Sequence, residues 1–157
     1  MSMSADLASP PSLSPAGWRG WLLPLAWAQS IVATLGSLYF SEVMNFTPCD
    51  LCWYQRVCMY PLMAVFGVAL WRRDPNVRAY ALPLTAIGWL IAGYHTLEQY
   101  AILPTNPAIC GVGLSCTTLW INWFGFITIP LLSFTAFTVI ALCLALYRPQ
   151  VEDDDGE

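Results

Sequence analysis

The chain has 157 residues, 57 % hydrophobic and only 10 % charged, a balance that excludes an ordinary soluble domain and reads as an integral membrane protein. It has six arginines and no lysine, and much of its net charge of −4 comes from Glu152-Asp153-Asp154-Asp155 and Glu157. No basic stripe is available for a nucleic acid, so that class of partner is excluded.

In chain order, residues 1–20 are rich in Ser, Pro and Ala without an apolar period, and read as a disordered tail. Residues 21–40 hold no charge over 20 positions, enough to cross about 30 Å of hydrocarbon. Ala26-Trp27-Ala28 resembles a signal-peptidase site, but the apolar run continues to Phe40, so the segment is expected to stay as an uncleaved anchor. A second span is predicted over about 51–71 and a third over 79–97, with a short basic turn between them. From 99 to 147 there is no charged residue, but Pro104, Asn106, Pro107, Gly111 and Gly113 break the first half into loop. The fourth span is then about 124–147, entered through an aromatic belt of Trp120, Trp123, Phe124 and Phe126, and 149–157 is an acidic tail. The expectation is an all-α membrane domain over 21–148, a four-helix bundle.

Arginine placement sets the orientation. Arg19, Arg72, Arg73, Arg78 and Arg148 flank one side of these spans, and the other two connections have neither Lys nor Arg. The positive-inside rule puts both termini in the cytoplasm and turns the loops at 40–50 and 98–122 outward.

That topology sorts the six cysteines. Cys49 and Cys52 form a Cys-x-x-Cys at the outer end of the second span, and Cys110 and Cys116 lie in the second outer loop. All four face the oxidising side, where disulfides persist. Cys58 and Cys143 fall inside spans and read as packing residues. For the outer four, three chemistries compete: static bridges that staple loops, a four-cysteine metal site, and a thiol relay in which a loop disulfide is regenerated by the membrane-embedded pair.

Arg56 favours the relay. Helical periodicity puts it on the face of Cys52, where its charge and the helix N-terminus would stabilise a Cys52 thiolate, and its guanidinium could bind an oxygen-bearing ligand. Snorkelling to the interface is the bland alternative. Gln55 adds a second polar side chain. His95, the one histidine, lies at the same depth, either as an interfacial residue or as a ligand-binding or proton-handling group. Glu98 reads as an interfacial charge only.

The run Pro48-Cys49-Asp50-Leu51-Cys52-Trp53-Tyr54-Gln55-Arg56, the stretch Tyr94-His95-Thr96, the pair Cys110 and Cys116, and Gly125-Phe126-Ile127-Thr128-Ile129-Pro130 resemble the bacterial disulfide-bond formation protein B (DsbB) family, especially its short BdbC-type members. The resemblance implies a four-helix bundle in the bacterial cell membrane that oxidises a thioredoxin-like partner of the DsbA (BdbD) type and passes electrons to quinone, ubiquinone or menaquinone. It implies that Cys110 forms the mixed disulfide with the partner, that Cys116 resolves it, and that Cys49 and Cys52 reoxidise the loop pair. Arg56 would bind a quinone oxygen, with His95 and Gln55 nearby. Unlike the longer family members, this chain separates its loop cysteines by only five residues.

Overall fold

The computed structural model describes residues 18–104, 110, 116–118, 121–122 and 124–147. Residues 1–17 and 148–157, with Asn106, Pro107, Gly111, Gly113, Trp120 and Trp123, lie outside the described residues, whereas 18–20, expected in the disordered tail, are ordered in a turn. The elements are α1 (Leu22–Leu38), α2 (Asp50–Arg72), α3 (Val77–Gln99) and α4 (Ile129–Leu146). A 3-10 turn, Trp18–Trp21, leads into α1 and a π-helical segment, Tyr39–Val43, extends it. Among the described residues there is no strand element. The helices contact one another in sequence and α1 closes on α4, so the four form a ring.

Their boundaries follow from local chemistry. Pro48 keeps the chain extended before α2, and Cys49 takes an extended conformation (φ −75°, ψ 171°) as the N-cap. Asp50 then places a negative charge in the first turn, where the helix dipole favours it. The helix ends at Arg73 in the left-handed region (φ 53°), with its N–H on the Ala69 carbonyl. The turn to α3 is pinned by Asp74, which accepts hydrogen bonds from the Asn76 N–H (2.8 Å) and the Tyr80 hydroxyl (2.5 Å). These donors, the Tyr80 hydroxyl first, hold the Asp74 carboxyl below its usual value.

The interior is built from fully buried Leu62, Phe66, Phe137, Ile140 and Leu144, with Ala26, Ala69, Ala81 and Ala92 where backbones approach. Polar Ser30, Thr34, Gln55, Thr85 and His95 are also inside, whereas Val32, Leu35, Val57, Ile87, Leu90 and Leu142 face out. An apolar exterior around a partly polar interior is the arrangement a bilayer selects. Leu22–Val43 and Ile129–Leu146 are each long and apolar enough to cross a membrane, at mean hydropathies of 1.3 and 2.3.

Tryptophans tie the ring together. Trp27 Nε1 donates to the Met63 carbonyl (3.1 Å) across α1 and α2, and Trp89 Nε1 donates to Thr138 Oγ1 (2.9 Å) across α3 and α4. Beside the second link, a Cβ on Gly88 would drive into the Phe137 ring, which is fully buried and has nowhere to go. Gly88→Ala should therefore cost about 1–3 kcal/mol through overpacking. A thermal-unfolding midpoint in detergent unchanged from the parent would contradict this packing.

The predicted spans and the helices differ mainly at the fourth. Residues 124–128 are turn and extended backbone, and α4 starts only at Ile129. Phe124 (φ 56°) and Gly125 (φ 82°) both adopt left-handed conformations incompatible with a continuing helix. Hydropathy alone sees an uninterrupted apolar run and is blind to this break.

Candidate active site

Cys49 caps α2 and Cys52 follows in its first turn, which brings their sulfurs to 3.0 Å as an unbonded, hydrogen-bonded pair. Cys110 and Cys116 are joined as a disulfide with Cα atoms 5.8 Å apart. The structure therefore holds one pair open and the other closed. With their sulfurs bonded to each other, Cys110 and Cys116 offer no thiolate to a four-cysteine metal site.

His95 lies between the pairs. It is 1 % exposed in the last part of α3. The Gln55 amide donates to Nδ1 at 3.0 Å, an assignment that leaves the proton on Nε2. Nε2 faces the Cys116 carbonyl at 3.2 Å and Cys49 Sγ at 3.7 Å. One imidazole edge thus spans both cysteine pairs, and Gln55, from α2, fixes its tautomer. Gln55 acts here on the histidine, not as an isolated polar side chain.

The favoured thiolate falls on Cys49. The hydrogen bond from Cys52 pulls the Cys49 thiol well below the ordinary thiol value; burial opposes this, and the hydrogen bond from His95 reinforces it. The sequence reading placed the stabilised thiolate on Cys52 under the influence of Arg56. Spacing along one helix cannot reveal that His95 of α3 approaches the N-cap sulfur. Because the Cys49 pKa is lowered, its thiolate persists as pH falls through the range where ordinary thiols are already protonated. Reduced protein should thus be alkylated at Cys49 by iodoacetamide at about pH 6, where an ordinary thiol is less than about 1 % ionised. A Cys49 rate that falls tenfold per pH unit from about pH 8 to pH 6, as for an unperturbed thiol, would contradict the stabilisation.

Arg56 reaches across to the end of α1. Its guanidinium donates to the Ser37 carbonyl (3.2 Å) and Ser41 Oγ (3.0 Å) at the end of α1, and lies 5.3 Å from the centroid of the Trp53 ring. It lines, with Cys49, Cys52, Gln55 and His95, a cavity of about 330 Å³ to which all four helices contribute. This is within the size range of small-molecule sites. Gln99, also in the lining, keeps a buried Oε1 without a hydrogen-bond partner among the described residues. Ser37 and Gln99 carry no sequence signal that marks them for this cavity.

Glu98 is not an interfacial charge. It is 1 % exposed, with each carboxylate oxygen 3.5 Å from Cys110 Sγ. Cys58 and Cys143 are buried in the helical core, away from these pairs.

Residues 19–147 match the family described as Disulfide bond formation protein DsbB. The chain is 47 % identical over 124 residues to a probable disulfide formation protein C of Bacillus cereus, covering 78 % of this chain and 88 % of the relative. It is 45 % identical over 123 residues to the disulfide bond formation protein C of Bacillus subtilis, covering 78 % and 89 %. No solved structure matches. A membrane helix ring carrying an open Cys-x-x-Cys, a loop disulfide and a histidine between them is thus joined to a match over most of the chain: the protein belongs to the DsbB family of disulfide bond formation proteins, as a short, disulfide formation protein C-like thiol-disulfide oxidoreductase.

Proposed function

We propose that the protein reoxidises a thioredoxin-like dithiol protein outside the cytoplasm and delivers the electrons to membrane quinone, with all four helices spanning the cell membrane and both termini in the cytoplasm. The observation that carries this reading is His95, which touches a sulfur of one cysteine pair and the backbone of the other. A closed pair next to an open one, bridged by a single ring, is suited to exchange.

Cys110 is half-buried and Cys116 is 3 % exposed, so an incoming thiolate reaches Cys110 first. Attack there breaks the loop disulfide and Cys116 departs with the electron pair. The second thiol of the partner, as thiolate, then displaces Cys110 and leaves the partner oxidised. The Cys116 thiolate attacks Cys49 of an oxidised Cys49–Cys52 pair, and Cys52 is released at the cavity wall. Closure follows when Cys110 attacks Cys116 and expels Cys49. The stabilised Cys49 thiolate is suited to leaving, because a lower thiol pKa makes a faster leaving group. Each step exchanges one sulfur–sulfur bond for another, and two electrons have moved from the partner to the Cys49–Cys52 dithiol.

The cavity fits a quinone head. Its lining is largely apolar, with Arg56 to donate to a quinone carbonyl oxygen and Gln99 Oε1 to accept from a hydroxyl of the reduced quinol. A bound quinone would supply an acceptor for two electrons and two protons. An acceptor of higher potential is needed because DsbA-type partners, at roughly −120 mV, are far more oxidising than structural disulfides below about −300 mV.

The test is quinone reduction by detergent-purified protein supplied with a reduced thioredoxin-like protein. Turnover that disappears in Cys52→Ser is the expected result. Absence of turnover with both ubiquinone and menaquinone, from folded protein, would overturn the proposal.

A further inference from the structure

Glu98 sits three residues after His95 and therefore on the same face of α3. His95 reaches the backbone of Cys116, and Glu98 reaches the sulfur of Cys110. One carboxylate oxygen of Glu98 and both loop sulfurs lie within 4.8 Å of one another. A disulfide sulfur has no proton, so the 3.5 Å contacts to Cys110 are not hydrogen bonds in this oxidation state. Reduction changes that. The Cys110 thiol gains an S–H whose acceptor, the buried Glu98 carboxylate, is already beside it.

We infer that Glu98 is the hydrogen-bond acceptor of the Cys110 thiol in the reduced loop, and that it thereby makes the Cys110–Cys116 disulfide a stronger oxidant. Reduction of the loop adds two electrons and two protons: the sulfur–sulfur bond breaks, and one proton ends on each sulfur. The proton on Cys110 lies toward the Glu98 carboxylate. This bond exists only in the dithiol and is charge-assisted, roughly twice as strong as a neutral one, so it favours the reduced loop. The same negative charge disfavours a Cys110 thiolate and keeps that sulfur protonated between exchanges. A loop more ready to accept electrons is better matched to an oxidising partner.

This inference rests on the proposed role of the loop pair as the exchanging disulfide, but its test needs neither quinone nor a protein partner, so the two can fail separately. Full-length protein carrying Cys49→Ser and Cys52→Ser is equilibrated with reduced and oxidised glutathione, which supplies and accepts the electrons. The loop state is then read by alkylation and peptide mass. Glu98→Gln, nearly isosteric, should shift the equilibrium toward the disulfide by about five- to tenfold, the loss of a charged acceptor. Tenfold corresponds to about 30 mV for this two-electron couple. Glu98→Asp, which keeps the charge on a shorter arm, should lie between. As a second reading, alkylation of reduced Cys110 at about pH 7 should accelerate in Glu98→Gln because its thiolate is no longer opposed. An equilibrium within twofold of the parent, or a shift toward the dithiol, overturns the inference. A carboxylate that merely held the end of α3 in place would leave both readings unmoved.

Discussion

Cys49→Ser should stop turnover after a single equivalent. The loop disulfide Cys110–Cys116 is intact without Cys49, so one partner dithiol is oxidised in a rapid burst. Regeneration then fails, because the Cys116 thiolate has no Cys49–Cys52 bond to attack. Serine preserves the size of the side chain and the extended N-cap conformation of residue 49, and serine is itself a good N-cap residue, so α2 should form normally. Mixing reduced partner with the variant and counting free thiols over time checks this. Continued oxidation beyond one equivalent per protein would mean that electrons leave the loop pair by a route that bypasses the α2 pair.

Arg56→Ala should raise the apparent KM for quinone by tenfold or more. The estimate is the loss of a charged hydrogen bond, about 1.5–3 kcal/mol. The substitution also frees the Ser37 carbonyl and Ser41 Oγ at the end of α1. Arg56→Lys separates these roles: a lysine restores the charge but not the forked, planar donor set, and should recover only part of the affinity. Initial rates across quinone concentrations, with helicity followed alongside, provide the check. An unchanged KM would remove Arg56 from the ligand site and leave it as a tie between α1 and α2.

The membrane class, the four helical segments, two of them apolar enough to cross a bilayer, and the approach of Cys49 to Cys52 were legible because each is local. Charge-free length marks a span, and two cysteines three apart meet on any helix turn. The onset of α4 was not legible, since Phe124 and Gly125 break the helix by backbone conformation inside an apolar run. Neither was the location of the favoured thiolate. Arg56 is near Cys52 in sequence, and that proximity suggests Cys52, whereas Cys49 is stabilised first by the hydrogen bond from Cys52 and then by His95, 46 residues away. Glu98 misled for the same reason. At a predicted span end a carboxylate looks interfacial, and only the contact with Cys110, 12 residues on, shows it buried beside a sulfur. Contacts between elements, which fix the electrostatics of the site, are what one chain read in isolation does not contain.

The most direct test of the account is whether electrons cross between the pairs at His95, through a bond between Cys116 and Cys49. Protein carrying Cys110→Ser and Cys52→Ser retains one sulfur of each pair and loses the competing partner of both. Mild oxidation followed by digestion and mass analysis should recover a peptide joined through Cys49 and Cys116 in high yield. Recovery of both residues as free thiols, from protein that remains folded, would show that the sulfurs do not meet and would contradict the relay.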